Sequence, residues 1–169
     1  MYKSLLAVIA LGALGAGQLF AVDELSSRAD RKITGQYYRP YTASTYYQGA
    51  IRHAEALNYY GRRYSTIPDE TAQEHIAELR HNLKALRNEL SKLAKEAKTN
   101  KILAAHLKTL EEHHAKAEEL AKQLEEAPAD AKTMAACCAD IAKELKAAEA
   151  ENEKLKKTLG IEDLPEKGK

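Results

Sequence analysis

The sequence has no tryptophan, one phenylalanine, two cysteines and four prolines in 169 residues. Each scarcity excludes something. Cys137 and Cys138 are adjacent, so they are not a disulfide framework. On a helix they point about 100° apart, which makes a bond between them badly strained. Net charge is also scarce. The precursor carries +1, and loss of Lys3 leaves about zero, so no field steers nucleic acid or an acidic membrane. Catalytic signatures are missing as well. There is no CxxC, HExxH or CxxCH motif, no Gly-rich phosphate loop and no serine or cysteine nucleophile motif. The many carboxylates fall on charged helix faces where nothing raises their pKa for acid work. The reading is a protein that is not an enzyme and has no nucleic-acid partner.

What is present begins at the first residue. Lys3 gives a basic start, Leu5 to Ala16 form an uncharged apolar run, and small residues follow. That order is a secretory signal peptide over residues 1–21. The run is shorter than the ~20 residues a membrane-spanning helix needs, so no span is expected after cleavage. Ala21 is the expected last residue of the signal, with Gly17 as its rival. Cleavage leaves roughly 148 residues, the size of one domain, in a periplasmic or extracellular setting.

Residues 22–42 have little apolar period and are interrupted by Gly35 and Pro40, so they read as an irregular arm. Residues 43–160 read as a helical bundle. The first helix is expected from Ala43 to about Arg63, with Tyr46, Ala50, Leu57, Tyr60 and Tyr64 as its apolar stripe and His53 on the same line. The second opens at Asp69 and Glu70, where acids suit exposed N–H groups. Ala72, Ile76, Leu79, Leu83, Leu86, Leu90, Leu93 and Ala97 then alternate by four and three. That is a heptad seam, the pattern that packs one helix against others at a shallow angle. Thr99 or Asn100 caps a third helix through Leu103, Leu107, Leu110, Ala117, Ala121 and Leu124, with Leu120 widening the stripe. Pro128 opens a fourth through Met134, Cys138, Ile141, Leu145, Ala148, Asn152, Leu155 and Leu159, capped by Gly160. Residues 161–169 read as a frayed tail. Asn152 on the seam either fixes register or marks a wet end of the bundle, and the wet end is the preferred reading. Short connections make the helices antiparallel neighbours. The fold expected is therefore all-α, an up-down-up-down four-helix bundle with coiled-coil-like packing. An extended three-helix coiled coil paired with a second copy is the runner-up, so a homodimer stays open.

Two groups of residues could carry chemistry. Folding the chain about Thr66/Ile67, Thr99/Asn100 and Ala127/Pro128 brings His53, His81, Cys137 and Cys138 to one height, with His114 on the third seam about 8 Å away. Thiolate with imidazole suits a soft or borderline ion, copper or zinc, so Cys137, Cys138, His53, His114 and His81 are the candidate ligands. The plainer reading makes Cys138 a core filler and the histidines surface residues. The second group is aromatic. Eight of the nine tyrosines lie between Tyr37 and Tyr64, interleaved with arginines. Aromatic and arginine side chains dominate binding hot spots. Tyr37, Tyr38, Arg39 and Tyr41 are the candidate contacts to an envelope protein or glycan. The function expected is thus an exported binding protein with copper or zinc as ligand. The alternative is a structural or interaction module of the cell envelope with no metal.

Overall fold

The computed structural model describes residues 35–98, 100–126 and 130–161. The signal peptide, residues 22–34 of the arm, Pro128 and residues 162–169 of the tail lie outside the described residues. Among those described, the protein is all-α: α1 (Gly35–Arg63), α2 (Asp69–Ala97), α3 (Lys101–Glu126) and α4 (Ala131–Thr158), with no strand. α1 packs on α2 and α4, and α3 packs on the same two helices, so the four form a bundle around one core.

The core is built from the heptad seams. Leu79, Leu83, Leu86, Leu90 and Leu93 of α2 are buried, as are Leu103, Leu107, Leu110, Ala117, Ala121 and Leu124 of α3. Met134, Cys138, Ile141, Leu145, Ala148, Asn152 and Leu155 supply the α4 side. The helix ends follow local chemistry. Asn100 Oδ1 accepts from the backbone N–H of Ile102 and Leu103 and so caps α3. Asp130 caps α4 by accepting from Lys132 and Thr133, so that helix opens at Ala131 and not at Pro128. At the far end Gly160 takes φ +66°, the left-handed turn glycine adopts without strain. Ile161 is tied down there by its N–H on the Lys156 carbonyl at 2.9 Å, although the frayed tail was expected to start with it.

α1 differs from expectation in two ways. It begins at Gly35, so residues 35–42 are helical and not part of an irregular arm. Pro40 lies in the second turn, where its missing N–H leaves a single carbonyl without its helical partner. The ring is fully buried, and the Pro40 carbonyl accepts from Asn152 Nδ2 at 2.7 Å. The core-facing line also differs. It runs Ala43, Tyr47, Ala50, Ala54, Leu57 and Gly61, with Tyr46 and Tyr60 half-buried and Tyr64 exposed. The small residues are the physical reason. A Cβ on Gly61 would run into the Ala131 carbonyl and stand 2.9 Å from the Ala135 Cβ, so α1 and α4 approach more closely than a stripe of tyrosines allows. Asn58 Nδ2 donates to the Ala135 carbonyl at 2.6 Å across the same contact.

Asn152 is completely buried, so it does not lie at a solvent-exposed end of the bundle as expected. Its Nδ2 donates to the Pro40 carbonyl and, at 3.0 Å, to Ser44 Oγ. Ser44 in turn meets Glu153 at 3.1 Å. A buried amide is costly unless bonded, and the Asn152 Nδ2 meets its two acceptors on α1 only when α1 and α4 lie at one height, while its Oδ1 has no partner among the described residues.

Candidate functional site

The described chemistry-bearing side chains concentrate where α1 ends and α2 begins. His53 and Tyr60 fall at i and i+7 along α1, and Tyr64, one residue past its end, continues their line with its N–H on the Tyr60 carbonyl at 2.9 Å. Tyr59 stands beside that line. The Tyr60 ring lies edge-on to Tyr59 at 5.8 Å between centroids and 6.4 Å from Tyr64. Arg63 Nη1 donates to the Tyr59 hydroxyl at 2.9 Å, with the guanidinium 5.7 Å from the ring centroid. Arg62 and Arg63 also suit the last turn of α1, where the helix dipole favours cations. Tyr59 and Tyr64 remain 51% and 53% exposed, so this aromatic corner is open.

His75, in the second turn of α2, joins the corner from the other side. Its ring lies 5.8 Å from Tyr60 and 5.3 Å from His53. The two histidines meet Nδ1 to Nδ1 at 3.0 Å, so one of them donates and the other accepts. Burial lowers the His53 pKa first, and the His75 and Arg52 charges lower it further against the opposing pull of Glu78 and Glu74. His53 is therefore held toward its neutral form.

The other expected ligands are dispersed. Cys138 is fully buried, and burial, with the neighbouring Cys137, pushes its thiol up to about 12. Cys137 is half-buried and its Sγ donates to the Leu120 carbonyl at 3.4 Å. Burial raises its pKa also. His114 is buried on the α3 seam, its Nε2 3.2 Å from Glu118 Oε1 but outside hydrogen-bonding alignment. Burial lowers its pKa, against the pull of Glu118. His81 is exposed and lines an open cleft of about 690 Å³ between α2 and α3 with Arg80, Lys84, Arg87 and Glu118. Among the described residues, no three His, Cys, Asp or Glu side chains are gathered closely enough to hold a metal ion.

The expected partner contacts divide similarly. Tyr38 is 62% exposed. Arg39 is a strut, its Nε donating to Glu96 at 2.9 Å and its Nη1 to Glu89 at 3.2 Å. Tyr41 is half-buried beneath the Lys156 ammonium, 5.8 Å from its ring centroid. The side chain of Tyr37 lies outside the described residues. The sequence reading put these four residues in an irregular arm, whereas they lie in the first two turns of α1, and it did not include His75 among the candidates. The i, i+7, i+11 spacing of His53, Tyr60 and Tyr64 was the signal for the corner.

The remaining histidines are committed to carboxylates. His106 and His113 on α3 each hold a glutamate of α4, Glu151 and Glu144, at 2.7 Å. No described helix is long and apolar enough to cross a membrane. Compared with protein families, curated proteins and solved structures, the chain matches no family, no curated protein and no solved structure.

Proposed function

We propose that this is an exported, non-enzymatic helical bundle that serves as an interaction module of the cell envelope, and that the aromatic corner of α1 is its binding surface. The carrying observation is the exposure of Tyr59 and Tyr64 beside Arg63 at the C-terminal end of α1. Tyrosines held on a helix present large contact area with little entropy left to lose, and arginine adds a fixed charge. A protein or a glycan of the envelope fits such a surface. Export is read from the basic start and short apolar run of residues 1–21. Intact mass of the secreted form should show a chain that begins after Ala21 or a few residues earlier.

The helix order that fits this reading is up-down-up-down. His106 pairs with Glu151 and His113 with Glu144, so a step forward on α3 is a step back on α4. Arg39 with Glu96 and His53 with His75 give the same sense for α1 and α2. These contacts support antiparallel neighbours and put the α1 end and α2 start together at one corner. Copper or zinc held by Cys137 and Cys138 is the weaker reading, because a thiol raised by burial is a poor ligand at neutral pH.

The test is a variant carrying Tyr59→Ala, Arg63→Ala and Tyr64→Ala, all at exposed positions. It should keep its circular dichroism and melting temperature, and its co-sedimentation with purified envelope fragments should fall at least about tenfold. Undiminished co-sedimentation would reject the corner as the binding surface.

A further inference from the structure

We propose that His53 and His75 form a binding site for one borderline divalent ion, Cu(II) or Zn(II). The inference goes beyond the surface reading above and does not depend on it. Of the six histidines, His106 and His113 hold carboxylates, His114 is buried beside Glu118, and His81 stands alone on the surface. Only His53 and His75 turn ring nitrogens toward each other, and they come from two different helices.

The spacing suits a shared ion. Imidazole nitrogens bind such ions at about 2.0–2.1 Å, which sets two ligands about 2.9 Å apart at a right angle and about 3.4 Å apart at the tetrahedral angle. The two Nδ1 atoms stand 3.0 Å apart. The rings meet nearly end to end, tilted by 53°, so a swing of both rings is needed to aim the two lone pairs at one ion. Both residues are half-exposed, which leaves room for that swing and a path for the ion. The imidazole that donates in the hydrogen-bonded pair moves its proton from Nδ1 to Nε2 by exchange with water, so a neutral pair binds the ion with no net loss of protons.

The surroundings favour a cation. Glu78 follows His75 by one helical turn and Glu74 precedes it, and both carboxylates act on His53. Residues three apart share one helix face, so Glu78 stands on the same face as His75. Water completes the coordination, since the protein gathers no third ligand in place.

Titration of the full mature chain with Zn(II) alone, followed calorimetrically, tests this. One ion should bind per chain, with affinity falling as pH drops through the histidine range. His53→Gln and His75→Gln should each weaken binding by at least about tenfold, and Glu78→Gln by a few-fold. Cys137→Ser with Cys138→Ser, and His81→Gln, should leave it unchanged. Electron paramagnetic resonance of the Cu(II) form should show two coupled nitrogens, and this readout stands even if a Gln variant folds poorly. Wild-type affinity in both Gln variants, loss of binding in the cysteine variant, or a Cu(II) spectrum with fewer than two nitrogens would overturn the proposal.

Discussion

Gly61→Ala isolates the close approach of α1 and α4. A helix interior ordinarily gains up to about 1 kcal/mol from this change. Here the added methyl meets the Ala131 carbonyl, which is backbone and cannot rotate away, and the Ala135 Cβ at 2.9 Å. Over-packing of this kind costs about 1–3 kcal/mol. The Asn58–Ala135 hydrogen bond crosses the same contact, and stretching it removes a further ~0.5–1.5 kcal/mol. The net expectation is destabilisation of about 1–3 kcal/mol, or a fall in melting temperature of roughly 3–10 °C for a domain this size. Gly49→Ala is the internal control. Its methyl would meet only the Asn82 side chain, with Oδ1 at 2.6 Å, and that side chain can turn aside by giving up an exposed bond to the Glu78 carbonyl. It should stay within about 0.5 kcal/mol of wild type. Thermal and urea unfolding followed by circular dichroism measure both. A Gly61→Ala protein as stable as wild type, or less affected than Gly49→Ala, would refute the close contact.

Three further outcomes follow from the packing and charges. Leu83→Ala or Leu86→Ala, at 3% and 0% exposure, should cost about 2–5 kcal/mol in urea unfolding, whereas losses below about 0.5 kcal/mol at both would mean the seam is not packed. Glu144 is held below its ordinary carboxylate value first by its hydrogen bond to His113 and then by the Lys116 charge. Its stabilisation is therefore present above the unfolded value and is lost as pH falls through the folded one, so Glu144→Gln should flatten the decline of melting temperature between about pH 5 and pH 3. An unchanged acid limb would contradict that assignment. In a Cys137→Ser background, Cys138 should react with a thiol reagent at least about a hundredfold more slowly when folded than in denaturant, and equal rates would show that it is not buried.

The sequence was most legible where large aliphatic residues mark the seam. In α2, α3 and α4 the expected seam positions are buried, down to His114 and Cys138, with Ile76, Leu120 and Leu159 half-buried. The height of Cys137 against α3 was also legible, because it meets Leu120 within a turn of the expected partner. α1 was read less well because its packing depends on Ala43, Ala54 and Gly61, which hydrophobic pattern underweights against tyrosine. Pro40 looked like a break, since nothing in the sequence says that Asn152, more than a hundred residues away, donates to its carbonyl. The site suffered from one wrong height. A symmetric fold about Thr66/Ile67 puts His53 opposite Arg80, yet it faces His75, more than a turn lower. That shift gives His53 an imidazole neighbour from the start of α2.

Tyrosine footprinting tests the central claim most directly. The protein would be labelled once in its native envelope and once after purification, and each tyrosine read by mass spectrometry. Tyr47, fully buried, should be unreactive in both states and serves as the reference. Tyr59 and Tyr64 should react in the purified protein and be protected in the envelope, where a partner covers the corner. Equal reactivity of Tyr59 and Tyr64 in the two states would contradict the assignment of this surface to binding.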